Sequence, residues 1–175
     1  MAIRKFENYT PEIAGSAFVD EASVVTGNVK IGADSSIWPM CSVRGDINSI
    51  RIGERSNIQD GSVLHVTHDS EFAPGGAELE VGDDVTVGHN VVLHACTIED
   101  GCLIGMGAVV LDGAVVQSGA MVGAGSLVPP GKVLEGGYLW LGSPVKRVRE
   151  LSEKEQVFLK YSAMHYVKLK DRHKT

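Results

Sequence analysis

Histidine is the residue type in this chain whose number and spacing most directly suggest chemistry. Six histidines are present, at positions 65, 68, 89, 94, 165 and 173. A neutral imidazole binds transition metals, and near neutral pH it can also carry protons. Three of the six, His65, His89 and His94, lie close together in the sequence. Whether they meet in space depends on the elements that carry them.

Those elements are predicted to be short strands in a six-residue repeat. Aliphatic residues recur at every sixth position in four runs, at positions 19–43, 52–64, 81–93 and 98–134. The 21 glycines and the low aromatic content of 6% indicate frequent tight turns around an aliphatic core. A period of six fits neither an amphipathic helix nor a hairpin strand. It predicts one strand per repeat, three strands per triangular coil, and coils stacked at about 4.8 Å.

The repeat also predicts where the histidines point. His65 and His94 each directly follow an inward-facing leucine. Because alternate residues of a strand face opposite ways, both imidazoles should face outward. On successive coils they would lie about 5 Å apart at the backbone, a spacing at which two imidazoles can share a metal ion. His89 lies two places after Val87, on the preceding face, and a trimer would be needed to bring it from a neighbouring subunit to the pair.

Four segments of the chain together resemble the gamma-class carbonic anhydrases and their close bacterial relatives, within the hexapeptide-repeat proteins. The segments are RGDINSIRIGERSNIQDGSVLH, VGHNVVLHAC, IGMGAVVLDGAVV and LGSPVKRVREL. The resemblance covers most of the chain and implies an all-β solenoid, a left-handed parallel β-helix. It also implies a homotrimer with a metal ion at each interface, held by His65, His89 and His94, with His89 given across the interface. Zinc is the expected ion, and iron or cobalt would also suit imidazole ligands.

Further site residues follow from the same resemblance. Arg44, Asp46 and Asp60 match residues that form an ion network near the metal and across the interface, and the arginine is expected to attract bicarbonate. Ile47 departs from the family pattern, because the best-known members have an acidic residue there. The loop after the first metal-binding histidine is also shorter than in those members. Both departures predict slow proton transfer and hence a low hydration rate.

Two amides and a phenol complete the predicted site. Gln59 resembles the residue that hydrogen-bonds metal-bound water, and Asn57 resembles its polar neighbour. An amide suits this position because it can orient hydroxide without a competing charge. Tyr161 resembles an aromatic hydroxyl near the pocket.

The chain is predicted to have two parts. Residues 1–149 form the β-helix, with an inserted loop at about residues 66–80, and residues 150–175 form a C-terminal α-helix packed on it. Ser152 and Glu155 match a capping box at the start of this helix. Five positions recur at helical spacing and predict the face that packs on the β-helix. These are Val157, Phe158, Tyr161, Met164 or His165, and Lys168.

Composition limits the partners and the compartment. A net charge of −6 without a basic run predicts no nucleic-acid or membrane partner. The N-terminal residues lack the apolar stretch of a secretory signal. The three cysteines, Cys41, Cys96 and Cys102, suit buried positions in a reducing compartment. A cytoplasmic protein is therefore expected.

Three functions remain open at this stage. The first is a lyase that interconverts CO2 and bicarbonate through a metal-bound hydroxide at the trimer interface. The second is an acyl-CoA thioesterase or acyltransferase, because hexapeptide acetyltransferases share the fold and fold alone does not choose between functions. The third is a metal-stabilised trimer without turnover. The trio of predicted ligands favours a metal-dependent function over simple acyl transfer.

Overall fold

The structure is a computed structural model that describes residues 2–174. Within this range the chain forms a parallel β-solenoid followed by one α-helix, as the repeat predicts. In chain order the elements are β1 (Ala2–Arg4), β2 (Glu12–Ile13), β3 (Phe18–Val19), β4 (Val24–Ile31), β5 (Ser36–Ile37), β6 (Ser42–Ile52), β7 (Asn57–Ile58), β8 (Val63–His65), β9 (Leu79–Val81), β10 (Thr86–Val87), β11 (Val92–His94), β12 (Thr97–Ile98), β13 (Leu103–Ile104), β14 (Val109–Val110), β15 (Val115–Val116), β16 (Met121–Val122), β17 (Leu127–Val128), β18 (Val133–Leu134), β19 (Tyr138–Gly142), β20 (Val145–Glu150) and α1 (Glu153–His173).

The strands make three faces. The histidine face contains β1, the first part of β4, the first part of β6, β8, β11, β14 and β17. The second face contains β2, the remainders of β4 and β6, β9, β12, β15 and β18. The helix face contains β3, β5, β7, β10, β13, β16 and β19. Neighbouring strands on each face are parallel until β20 pairs antiparallel with β19.

The solenoid core consists of the repeated aliphatic residues, so the predicted inward phase is confirmed. From Val25 to Leu134 every one of these residues is at most 3% exposed. Fully burying such a side chain stabilises the fold by about 1.5–3 kcal/mol. A single coil could not bury its own aliphatic side chains. They are covered by the coils stacked above and below it.

The corners of the coils depend on residues that accept positive φ. Gly61 has φ of 73°, and an added Cβ would lie 2.3 Å from Asn90 Oδ1 of the next coil. Glycine is therefore needed here for both the turn and the close approach of the coils. This corner also carries Asp60 and His89, so the tight stacking helps to position them.

The longest interruption of the regular coil lies between the histidine face and the second face. We call residues 66–78, between β8 and β9, the insertion loop. Its base is closed by an antiparallel bridge between Thr67 and Ala77, and its tip by a second bridge between Ser70 and Ala73. The loop leaves the coil directly after His65, so its base lies beside the predicted metal ligands.

Helix α1 begins with the predicted capping box. The Ser152 side chain accepts a hydrogen bond from the Glu155 backbone N–H, and the Glu155 carboxylate accepts one from Ser152. At the other end the ammonium group of Lys170, which is 1% exposed, contacts Asp34 at 3.1 Å and Asp171 at 2.6 Å. The contact with Asp34 attaches the helix to the solenoid, whereas Asp171 is the next residue of the helix itself. The helix is not long and apolar enough to cross a membrane, and the described residues include no other helix.

The predicted packing face of the helix is wrong. Val157 and Tyr161 are 67% and 61% exposed, whereas Leu159, Ser162 and Ala163 are buried. The helix packs through this narrower strip because small residues allow it to approach the polar outer surface of β7 and β10. Val157, Phe158 and Tyr161 remain largely exposed as a result, and nearer the end of the helix Tyr166 packs against Trp38 of the solenoid, with ring centroids 5.5 Å apart.

Candidate metal centre

His65 and His94 lie side by side on adjacent parallel strands, as the repeat predicts. They are register partners between β8 and β11, and both side chains face outward. The distance from His65 Nδ1 to His94 Nε2 is 3.1 Å. Two nitrogens bound to one tetrahedral zinc ion at 2.0–2.1 Å would be about 3.3–3.4 Å apart. The spacing of this histidine pair therefore fits two ligands of one ion.

Each member of the histidine pair is held by a carboxylate through its other ring nitrogen. His65 Nε2 lies 3.0 Å from Asp46 Oδ1, and His94 Nδ1 lies 2.6 Å from Asp112 Oδ1. A carboxylate accepts hydrogen bonds, so these two nitrogens carry the protons in the neutral imidazoles. The two facing nitrogens are then both lone pairs. A metal ion bound between them would accept both lone pairs, and metal-binding histidines usually donate their other ring N–H to a carboxylate or carbonyl in this way.

Arg44 extends this contact chain and influences its charge. Arg44 Nη1 donates to Asp46 Oδ2. Burial opposes ionisation of Asp46, but the hydrogen bonds from Arg44 and His65 outweigh it and lower the pKa of Asp46 below its usual value. For His65, burial lowers the pKa, and the nearby Arg44 charge adds to this against the raising effect of Asp46. His65 is therefore neutral near pH 7, the state in which imidazole binds a metal.

His89 lies on a different part of the solenoid surface. It follows β10 on the helix face, and its Nδ1 is 2.9 Å from Asp60 Oδ2. Its side chain is 42% exposed, with Nε2 as the nitrogen not held by Asp60. Within residues 2–174, no three histidine, cysteine or acidic side chains converge as a metal site. One chain thus brings together two of the three predicted ligands and leaves the third apart.

The predicted amides form a buried hydrogen-bonded chain that reaches the helix. Asn57 Nδ2 donates to the Val85 carbonyl at 3.3 Å and to Thr86 Oγ1 at 3.1 Å. The Asn57 oxygen therefore accepts from Gln59 Nε2, at 3.1 Å. Thr86 Oγ1 in turn donates to Ser162 Oγ at 3.1 Å. This arrangement orients the Gln59 amide and leaves its oxygen available to a ligand.

Gln59, His89 and Tyr161 line one depression between the helix face and α1. Its volume is about 420 Å³, and Phe158 and His165 also contribute to its wall. Tyr161 stacks on His165, with ring centroids 5.8 Å apart. Asp60 joins this group through His89, whereas Arg44 and Asp46 accompany His65. The structure therefore divides the predicted site residues between two surfaces of the chain.

Sequence reasoning missed four residues that contact the predicted site. Asp112 could have been found from the repeat, because it lies two places after Val110, which pairs with Leu93 beside His94. Thr67 contacts Asp112 through its hydroxyl group. Thr86 faces outward next to Asn57, but its role depends on Ser162 of the helix. The six-residue period does not predict how the helix packs on the solenoid, so it could not identify the contact between Thr86 and Ser162.

Comparisons with known proteins agree with this architecture. Residues 95–130 match the family described as bacterial transferase hexapeptide (six repeats). Protein YrdA of Escherichia coli K12 is 52% identical over 97% of this chain and 92% of its own length. Gamma carbonic anhydrase 3, mitochondrial, of Arabidopsis thaliana is 42% identical over 95% of this chain, which spans 64% of the plant protein.

A solved structure adds evidence on the fold. The hexapeptide transferase family protein from Anaplasma phagocytophilum superposes with a TM-score of 0.90 at 36% identity, over 97% of this chain and 96% of that one. The superposition covers nearly the whole of both chains, so the two proteins share the fold described above. The chain therefore belongs to the hexapeptide-repeat proteins, and over most of its length it is similar to gamma carbonic anhydrases.

Proposed function

We propose that this protein is a metal-dependent lyase that interconverts CO2 and bicarbonate as a homotrimer. The observation that carries the proposal is the histidine pair, whose facing nitrogens lie 3.1 Å apart while carboxylates hold the opposite nitrogens. Zinc is the proposed ion, and iron or cobalt would suit the same imidazoles. His65 and His94 of one subunit and His89 of the next would hold it.

An apolar strip on the histidine face supports the trimer. Val63, Val92, Val109 and Leu127 are register partners on successive coils and face outward in the same column. Val63 is 42% exposed in the single chain. Burying this strip against a neighbouring subunit would remove apolar surface from water, and the strip lies directly beside the histidine pair. The same contact would bring a neighbour's corner, with His89, towards the pair.

The chain's own residues would then bind and orient the reactants. The ion would act as a Lewis acid that lowers the pKa of water at the site to near neutrality. The Gln59 oxygen, oriented by Asn57, would accept a hydrogen bond from that water and direct its lone pair at CO2. Arg44 would attract the bicarbonate anion, and Asp46 would keep the arginine and His65 in place. Asp60 would hold His89, and Tyr161 would border the depression beside it.

Metal analysis and stopped-flow CO2 hydration on anaerobically purified protein test this proposal. We expect about one metal ion per chain in a trimer, and loss of both metal and hydration in His94→Ala. His68→Ala, in the exposed part of the insertion loop, is the control for metal content. Fully folded, metal-free wild-type protein would refute the site. Equal hydration rates for wild type and His94→Ala would refute the lyase.

A second candidate is hydrolysis or transfer of an acyl group from acyl-CoA. The depression beside His89 favours it, because about 420 Å³ is more room than CO2 needs and Phe158 gives it an apolar wall. The similarity of this chain to a hexapeptide transferase family protein also supports this candidate. Thioester turnover by wild type, absent in His94→Ala, would favour a thioesterase. A protein that binds metal without either activity would be a metal-stabilised trimer.

The proposed location of the protein is the cytoplasm. The three buried free cysteines suit a reducing compartment of this kind.

A further inference from the structure

We propose that Asp112 and Thr67 are positioning residues for His94, and that they connect the base of the insertion loop to the metal centre. This inference rests on the proposed function, because it assumes that His94 binds a metal ion. It concerns which nitrogen of His94 is available and how firmly the ring is held. Neither residue belongs to the predicted ligand set.

Asp112 determines the tautomer of His94. Its Nδ1 lies 2.6 Å from Asp112 Oδ1, and the carboxylate can only accept at this contact. The proton of the neutral imidazole must therefore be on Nδ1. Nε2 keeps its lone pair and faces His65 Nδ1 at 3.1 Å. Asp112 thus selects the tautomer in which Nε2, the nitrogen that faces His65, is free to bind a metal ion.

Asp112 is itself restrained by Thr67. Its side chain is 40% exposed, so burial alone does not hold it in place. The other carboxylate oxygen, Oδ2, accepts a hydrogen bond from Thr67 Oγ1. The two oxygens are therefore held by two different elements, β11 and the insertion loop. This fixes the plane of the carboxylate and hence the direction of the His94 ring.

Thr67 is anchored by hydrogen bonds of its own backbone. Its backbone N–H donates to the Ala77 carbonyl at 2.9 Å, and the Ala77 N–H donates back at 3.0 Å. Asn48 Nδ2 also donates to the Thr67 carbonyl, at 3.2 Å. Thr67 is consequently the fixed point where the loop base meets the solenoid. A change at the loop base would reach His94 through two hydrogen bonds.

Nitrogen-15 NMR of the metal-free protein and zinc affinity by chelator competition test the inference. Wild type should show the Nδ1–H tautomer at His94. In Asp112→Asn the amide can donate to Nδ1, so the Nε2–H tautomer should appear, and the Kd for zinc should rise by about 10–100-fold. Thr67→Val should shift the tautomer partly and raise the Kd by about 3–10-fold. Thr97→Val, on the outer surface of β12, is the matched control and should match wild type.

The outcomes separate this inference from the proposed function. Wild-type tautomer and zinc affinity in both Asp112→Asn and Thr67→Val would overturn it. If Asp112→Asn does not fold, the isosteric Thr67→Val decides alone by the same two measurements. If wild type shows no CO2 hydration while the tautomer and affinity shifts appear, the positioning role stands and the lyase fails.

Discussion

His65 Nδ1 and His94 Nε2 lie 3.1 Å apart, and each imidazole is held from behind by a different aspartate. The two residues are register partners on parallel strands, so the solenoid backbone itself sets their separation. His89 follows a strand of another face and contacts Asp60 instead. A complete three-histidine site therefore requires a second chain, and this requirement can be tested directly.

Subunit complementation tests the shared site. His89→Ala in one chain and the double substitution His65→Ala and His94→Ala in the other each remove every complete site from a homotrimer. In trimers assembled from an equal mixture, two-to-one combinations contain one complete site each. If the chains assemble at random into closed trimers, about three-quarters of the trimers are such combinations. One site in three is complete in each of them, so about a quarter of all sites are restored. Metal content and hydration rate after co-refolding measure this recovery.

The two parent proteins, refolded separately, are the control for complementation. If the three histidines belonged to one chain, mixing would restore nothing. A recovery close to zero, with mixed trimers detected by native mass spectrometry, would contradict the shared site.

Thr86→Val tests the hydrogen-bonded chain behind Gln59. The hydroxyl accepts from Asn57 and donates to Ser162, so its loss frees the two amides that orient the reacting water. We expect kcat for CO2 hydration to fall by about 10-fold with bound metal unchanged, since the change lies behind the group that contacts water. The free energy of unfolding should fall by about 1 kcal/mol. Thr97→Val should preserve kcat, and an unchanged kcat in Thr86→Val would remove this role.

Gly76→Ala and Gly75→Ala form a matched pair at the base of the insertion loop. Both glycines have positive φ, so alanine should cost about 1–2 kcal/mol of stability at either position. An added Cβ at Gly76 would lie 2.5 Å from the Thr67 carbonyl oxygen, whereas one at Gly75 has no atom within 4 Å among the described residues. Zinc affinity should therefore fall by about 10-fold in Gly76→Ala alone. Equal zinc affinities of the two variants would show that the loop base does not influence metal binding.

The buried cysteines predict a loss of stability at alkaline pH. Burial raises the pKa of Cys41 from 9.0 to about 11, and it raises those of Cys96 and Cys102 to about 12. Between pH 9 and these values the unfolded chain loses thiol protons that the folded chain retains. The free energy of unfolding should therefore fall as pH rises above 9, by up to about 1.4 kcal/mol per pH unit for each thiol.

Urea denaturation between pH 8 and pH 10.5 measures this effect. Cys96→Ala should flatten the dependence by one thiol's share, and Cys41→Ala should do the same. Native protein at pH 8 should also react slowly with a thiol reagent, and fully after unfolding. Rapid labelling of folded protein would contradict the burial of these thiols.

The six-residue period alone predicted the solenoid, its inward residues and the pairing of His65 with His94. It could do so because strand alternation and coil stacking are properties of the backbone, which repeat from one coil to the next. The same regularity separated His89 from the pair. The roles of all three as metal ligands remain a prediction for the experiments above.

Tertiary structure decided the contacts between elements that the repeat does not relate. The helix packs through Leu159, Ser162 and Ala163 rather than through the predicted Val157 and Tyr161, because the small Ser162 and Ala163 allow close approach to a polar strand surface. Thr67 reaches Asp112 because the insertion loop folds back to its own base. Such contacts depend on the shapes of two surfaces that are distant in sequence. Periodicity carries no information about how those surfaces dock.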